Sequence, residues 1–178
     1  MDQLLSATRD AIPFGWKRAA AAGLAFRRIA EHDLPFLAQV YASTRAEEIA
    51  LTGWPDEQKA AFLTQQFLAQ HTHYQRYYPQ ADWLVMVREG EDIGRLYVER
   101  WPSQHRIIDI ALLPAHRGKG FGEALLRDLM DEAAAAGKAV SIHVEKNNPA
   151  MRLYRRLGFR TEEDKGVYDL MRWTATPA

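Results

Sequence analysis

The feature that most constrains this chain is a glycine-rich turn, Arg117-Gly118-Lys119-Gly120-Phe121-Gly122, set between an apolar run and an amphipathic one. The run before it, Ile107-Ile108-Asp109-Ile110-Ala111-Leu112-Leu113, reads as a buried strand. The run after it carries Leu125, Leu126, Leu129, Met130 and Ala133 on one helical face, with Asp128, Asp131 and Glu132 on the other. A strand feeding a helix through glycines is a place to hold phosphate. The first N–H groups of a helix have no internal partner and lie at the positive end of its dipole. Glycines let the backbone bend and let an anion approach it closely. Arg117 and Lys119 add positive charge beside the turn.

Two common phosphate motifs are absent. The turn is not G-x-x-x-x-G-K-[ST], and its glycine spacing is not G-x-G-x-x-G. It resembles instead the Arg/Gln-x-x-Gly-x-Gly/Ala signature of the GNAT superfamily of acyl-CoA-dependent N-acyltransferases, with Arg117, Gly120 and Gly122 at the three fixed positions. A second stretch, Asn147-Asn148-Pro149-Ala150-Met151-Arg152-Leu153-Tyr154-Arg155-Arg156-Leu157-Gly158-Phe159, is similar to the other signature of that superfamily. One helix and one strand separate the two. The resemblance covers Ile107 to Phe159; earlier residues match in the order of elements only.

The rest of the sequence fits that frame. At 178 residues the chain suits one domain, read here as running from residue 23 to 178 after an N-terminal arm or tail over residues 1–22. Lysines plus arginines number 23 and so do aspartates plus glutamates, so no overall field recruits nucleic acid or a membrane surface. There is no cysteine, which excludes disulfides, thiolate metal sites and a cysteine nucleophile. The start of the chain lacks the continuous apolar stretch of a signal peptide. No apolar run approaches the ~20 residues of a membrane span. A cytoplasmic location is the expectation, as a monomer or a homodimer.

In chain order, the predicted elements are a strand from Gly23 to Ile29 and a helix from Glu31 to Thr44. Ala46–Leu51 either extends that helix or forms a short second piece. A helix follows from Pro55 to about Tyr77, with proline at its first position and Asp56 and Glu57 in its first turn. Strands at Asp82–Arg88, Ile93–Trp101 and His105–Leu113 form an antiparallel meander. After the glycine turn come a helix stopped by Gly137, a strand at Ala139–Val144 and a helix from Ala150 to Leu157. A closing hairpin pairs Phe159–Glu163 with Val167–Trp173. The class is α/β. The resemblance implies a mixed, mostly antiparallel sheet splayed around a cofactor gap and flanked by helices.

The same resemblance implies acetyl-CoA as co-substrate and an amine acceptor, either a small molecule or a peptide. Backbone N–H groups of Gly118, Lys119, Gly120, Phe121 and Gly122 would cradle the pyrophosphate. Backbone groups of Ala111, Leu112 and Leu113 would pair with the pantetheine arm, and an N–H near Leu112 would meet the oxyanion. Either Asn147 or Asn148 would be the motif asparagine. Tyr154 matches the tyrosine that donates a proton to the departing thiolate; the plainer reading is a half-buried tyrosine with an ordinary partner.

For the base, Asp109 stands out as an acid in an apolar strand, on the side of Ala111. Desolvation makes a carboxylate more basic. The alternative is a structural carboxylate paired with Arg95 or Arg106. Glu99 on the neighbouring strand is a rival, and a water chain would remove the need for either. The histidines do not suggest a metal: His71 and His73 are two apart on a helix and do not share a face. His143 reads as a core or edge residue and His116 as part of the turn. The first two helices would wall the acceptor, with Tyr41, Arg45, Glu47, Glu48, Trp54, Tyr74, Tyr77 and Tyr78 in that region. A non-catalytic acyl-CoA sensor and a protein lysine or N-terminal acetyltransferase are the alternative functions.

Overall fold

A computed structural model describes residues 14–175. Seven strands form one sheet in the order β1-β2-β3-β4-β5-β7-β6. They are β1 (Leu24–Arg28), β2 (Asp82–Arg88), β3 (Glu91–Arg100), β4 (Gln104–Leu112), β5 (Ala139–Glu145), β6 (Arg160–Asp164) and β7 (Tyr168–Trp173). Every neighbouring pair is antiparallel except β4 and β5, which run parallel. The helices are α1 (Lys17–Ala21), α2 (Leu34–Ala50), α3 (Asp56–Tyr77), α4 (Phe121–Ala135) and α5 (Met151–Arg156).

Local chemistry sets the boundaries. Glu89 and Gly90 both have positive φ, 52° and 78°, which makes the tight β2–β3 turn a mirror-image type that suits the twist of the strands. The helix predicted from Glu31 starts with a short 3₁₀ turn, Glu31–Asp33, and becomes α-helical at Leu34, with a proline in its first turn. Ala46–Ala50 continues that helix. Gly137, at φ 68°, ends α4. The N–H of Lys138 reaches the carbonyl of Ala133 at 2.8 Å and that of Gly137 reaches Ala134 at 3.0 Å, the Schellman pattern.

The main core lies between the sheet and α4. It joins Leu96, Val98, Ile107, Leu125, Leu129, Ile142 and the α5 residues Met151 and Tyr154. A smaller cluster of Leu37, Tyr41 and Phe67 sits where α2 meets α3.

A boundary at residue 22 does not coincide with a change in packing. Trp16 and Ala19 are buried in the main core, and Phe14 stacks on Trp16 with ring centroids 4.3 Å apart. Asp128, expected on the outer face of α4, is buried beneath this segment. Its carboxylate accepts from the N–H of Ala19 at 2.8 Å and of Arg18 at 3.2 Å, the free donors of the first turn of α1. The alternation of apolar and acidic residues on α4 could not reveal a cover supplied from more than a hundred residues away. Residues 1–13 of the expected arm lie outside the described residues.

One feature of the sheet positions the site. The β4–β5 register holds only from Gln104↔Ala139 to Ile107↔Ile142. Beyond Ile107, β4 stays with β3 as far as Gly94↔Leu112, and β5 stays with β7 as far as Glu145↔Tyr168. The two parallel strands therefore part, and a wedge opens between their C-terminal halves.

Candidate active site

The glycine turn stands at the open end of the wedge. Gly120, at φ 84°, precedes α4, and no side chain caps the helix. The first bond inside the helix runs from Ala124 N–H to the Gly120 carbonyl at 3.0 Å. The N–H groups of Phe121, Gly122 and Glu123 precede it and have no helical acceptor. A Cβ added at Gly118, Gly120 or Gly122 would meet nothing within 4 Å. The glycines therefore serve no internal packing, and the space over them is open. The Phe121 side chain points inward and is buried, with the Arg88 guanidinium 5.0 Å from its ring centroid. Only its backbone is available to a ligand. The N–H of Glu123 is a donor that the motif did not indicate; counting back from the first helical bond finds it.

Arg117, beside the turn, is held by two protein contacts. Its Nε donates to the Leu112 carbonyl at 2.9 Å and its Nη2 to Ser43 Oγ on α2 at 3.0 Å. It clamps the turn to β4 and α2. No ion pair or hydrogen bond engages the Lys119 ammonium among the described residues.

The three residues expected along the wedge do not share one direction. The N–H of Leu113 bonds to the Ile93 carbonyl at 2.8 Å. The Ala111 carbonyl faces Gly94 so closely that a Cβ there would lie 2.3 Å from it. Ala111 and Leu113 thus turn their backbone to β3. Successive peptide groups of a strand point to opposite sides, which leaves Leu112, with Ile110, at the open edge. The missed member, Ile110, follows from that alternation once the β3 partner is known.

Tyr154 on α5 is buried, packed edge-to-face on Phe159 at 5.5 Å. Its hydroxyl has no hydrogen-bond partner among the described residues. Burial, helped by the nearby Asp109 charge, pushes its pKa well above the ordinary tyrosine value, so the phenol keeps its proton. Asn148 turns the chain into α5, its carboxamide oxygen accepting from the Ala150 N–H at 2.9 Å. Asn147 is exposed and its side chain has no such bond among the described residues.

Asp109 lies just past the point where β4 and β5 part. It accepts from Arg95 Nη2 at 2.6 Å, the ion pair that its strand position left open. Its side chain is 16% exposed, so one edge of the carboxylate remains accessible. Glu99 is not available as a base. It is buried, and its two oxygens accept from the Gln80 N–H at 3.0 Å and from Trp101 Nε1 at 2.7 Å. The loop before β2 and the Trp101 ring cover it.

His143 follows the last residue of β5 that pairs with β4. Its Nδ1 is 3.4 Å from Arg106 Nη1, and since a guanidinium only donates, Nδ1 accepts and the proton sits on Nε2. Burial and the Arg106 charge lower its pKa. His73 packs against Tyr77 with tilted rings and centroids 4.4 Å apart. No three His, Asp or Glu side chains gather as a metal site among the described residues. No helix there is long and apolar enough to cross a membrane.

On the expected acceptor wall, Arg45 pairs with Glu145 of β5 at 2.8 Å and ties α2 to the rim of the wedge. Tyr41, Trp54, Phe62 and Leu63 line a cleft of about 380 Å³ between α2 and α3.

The chain is similar to known proteins in sequence and in fold. The chain is 32% identical over 110 residues to a mycothiol acetyltransferase of Corynebacterium glutamicum, covering 55% of this chain and 37% of that protein. It is 50% identical over 62 residues to the L-methionine sulfoximine/L-methionine sulfone acetyltransferase of Salmonella typhimurium, covering 34% of each. The chain thus spans about a third of the length of these relatives. The fold superposes on the PaiA N-acetyltransferase of Thermoplasma acidophilum, solved with coenzyme A, at a TM-score of 0.62 and 16% identity, over 85% of this chain and 98% of that one. The pattern of the acetyltransferase (GNAT) family matches residues 42–159, from α2 through the wedge and the glycine turn to Phe159, and the chain belongs to that family.

Proposed function

We propose that this chain is an acetyl-CoA-dependent N-acetyltransferase that transfers the acetyl group to a primary amine by direct attack within a ternary complex. The observation that carries this is the wedge. The uncapped turn follows its β4 edge, along which the N–H of Leu112 is directed away from β3, and a tyrosine hydroxyl without a partner among the described residues, that of Tyr154, supports the same reading. The relatives' names and the coenzyme A seen in a structural neighbour support the same reading.

In this reading the N–H groups from Gly118 to Glu123 hold the pyrophosphate, and the Leu112 edge pairs with the pantetheine arm as another strand would. The co-substrate supplies an activated thioester. The N–H of Leu112 meets the oxygen that gains charge during transfer; losing one such donor typically costs ~3 kcal/mol. Tyr154 gives its proton to the departing thiolate. Asp109, with its accessible edge, receives the acceptor amine and takes its proton. Arg117, beside the turn, adds positive charge to the cradle while its contacts, like those of Arg45, hold the opening in shape. Asn147 is the asparagine free to contact the cofactor.

The test is release of free thiol from acetyl-CoA across amines, polyamines, amino acids and lysine peptides, with binding followed by calorimetry. Acceptor-dependent release is the expected result. Tight binding with no release from any acceptor would overturn the enzyme reading in favour of a non-catalytic sensor. Absence of binding would overturn the cradle itself.

A further inference from the structure

Beneath α3 lies a polar cluster that the transfer chemistry leaves unexplained. Arg95 of β3 is 2% exposed, the most buried of the described arginines. Its Nη2 donates to Asp109 and, at 2.9 Å, to Gln70 Oε1 on α3. Its Nε and Nη1 are buried with no acceptor among the described residues. The Tyr97 hydroxyl on the same strand is also buried without a hydrogen-bond acceptor or donor in place among the described residues, and burial pushes its pKa up to about 12. The Arg95 guanidinium lies 5.1 Å from the Tyr97 ring centroid. His71 of α3 adds a buried Nδ1 with no partner, and burial and the Arg95 charge hold its ring toward the neutral form.

Purely structural arginines in this fold look different. Arg100 uses all three nitrogens, on Asp82 and Glu132. Arg106, the other buried one, donates to Ser141 and His143 and stacks on Trp101 at 4.6 Å. Leaving a buried donor unmet costs ~1–3 kcal/mol, and more when the group is charged. Arg95 bears that cost next to Asp109, a partly exposed carboxylate just past the point where β4 and β5 part.

Charge narrows what fits. Arg95 and Asp109 together are neutral. A simple cationic amine would leave an uncompensated positive charge in a buried site, and an isolated anion a negative one. An acceptor that carries both an ammonium and a carboxylate adds no net charge and complements both partners.

We propose that Arg95, with Tyr97 and His71, receives the carboxylate of an amino-acid acceptor whose amino group lies at Asp109. This rests on the N-acetyltransferase reading and narrows its acceptor.

The experiment compares kcat/KM, by thiol release, for matched sets of an L-amino acid, its amide and its decarboxylated amine, using phenylalanine and methionine. The wild-type protein is expected to favour the acid by ~100-fold or more, the worth of a charge-assisted contact. Arg95→Gln should collapse the acid-to-amide ratio toward one. Because the ratio is taken within one preparation, loss of folded protein cancels. Tyr97→Phe leaves the ion pair intact and should lower the ratio several-fold if Arg95→Gln does not fold. Equal use of acid, amide and amine by the wild type overturns the carboxylate site and leaves the N-acetyltransferase reading standing. A preference for acids that survives both substitutions overturns its assignment to Arg95 and Tyr97. Release with no amine of any class overturns both readings.

Discussion

Replacing Tyr154 by phenylalanine isolates one oxygen atom. The ring stays in contact with Phe159, and the lost hydroxyl has no hydrogen-bond partner to orphan among the described residues. The stability change should therefore stay within about 0.5 kcal/mol, a melting shift of ~1–2 °C for a chain of this size. The proton relay is a different matter. General acid catalysis contributes ~100-fold or more, so kcat should fall by at least that factor, about 2.7 kcal/mol of barrier, while acetyl-CoA affinity is retained. The pH dependence has a definite sign. Burial and Asp109 raise the folded pKa above the ordinary ~10 of a phenol, so the proton is in place throughout the neutral range. No alkaline loss of rate below about pH 10 should come from Tyr154. Its stabilisation of the fold is complete below that pH and declines as the pH rises above it. Stopped-flow or steady-state thiol release, calorimetry and a thermal melt on the same preparation read all three quantities. A wild-type kcat in Tyr154→Phe would refute the acid role. A melting loss of several degrees that accounts for the fall in rate would instead make Tyr154 a packing residue.

Gly120→Ala must hold a side chain at φ 84°, at a cost of ~1–2 kcal/mol, yet its Cβ meets nothing within 4 Å. The fold should survive with a modestly lower melting point while acetyl-CoA affinity falls ~10-fold or more, and native affinity in calorimetry would argue against the cradle. Asp128→Ala leaves the Arg18 and Ala19 N–H groups without their acceptor and should cost ~2–4 kcal/mol, seen as faster hydrogen exchange over residues 14–22; unchanged exchange would show that Trp16 alone anchors the segment. Burial opposes the charge of Glu132, but His105, 2.7 Å away, and Arg100 bring its pKa down to about 2. A depressed carboxylate stabilises the fold above its ordinary value of about 4.5, and that contribution is lost as the pH falls toward 2. Glu132→Gln should flatten the acid limb of stability over that interval, and an unaltered limb in pH-dependent melts would refute the assignment.

The elements near the glycine turn were legible because their signals are local. The Gly137 stop, the turn at Glu89 and Gly90 and the apolar face of α4 each follow from a few adjacent residues. What escaped the sequence depends on partners distant in the chain. Glu99 reads as an ordinary strand residue until Trp101 and the Gln80 N–H close over it. Asp128 reads as solvent-facing until α1 packs on it. Ala111, Leu112 and Leu113 are equivalent in an apolar run, and only the β3 register separates the two that face inward from the one at the wedge. Arg117 matches its motif, but its hold on Ser43 depends on where α2 comes to rest.

The parting of β4 from β5 also bears on how the chain assembles. β2, β3 and β4 follow one another through short turns, and β6 and β7 form a hairpin, so most of their pairing is between near neighbours in sequence. The β4–β5 junction is joined through α4 and consists of four residue pairs. Between β1–β4 on one side and β5–β7 on the other, the loop-closure entropy therefore falls on that short seam, where only four residue pairs repay it. The sheet is better described as two half-sheets meeting along a seam than as one sheet torn open. Packing of α4 across Ile107 and Ile142 then does what main-chain pairing does elsewhere.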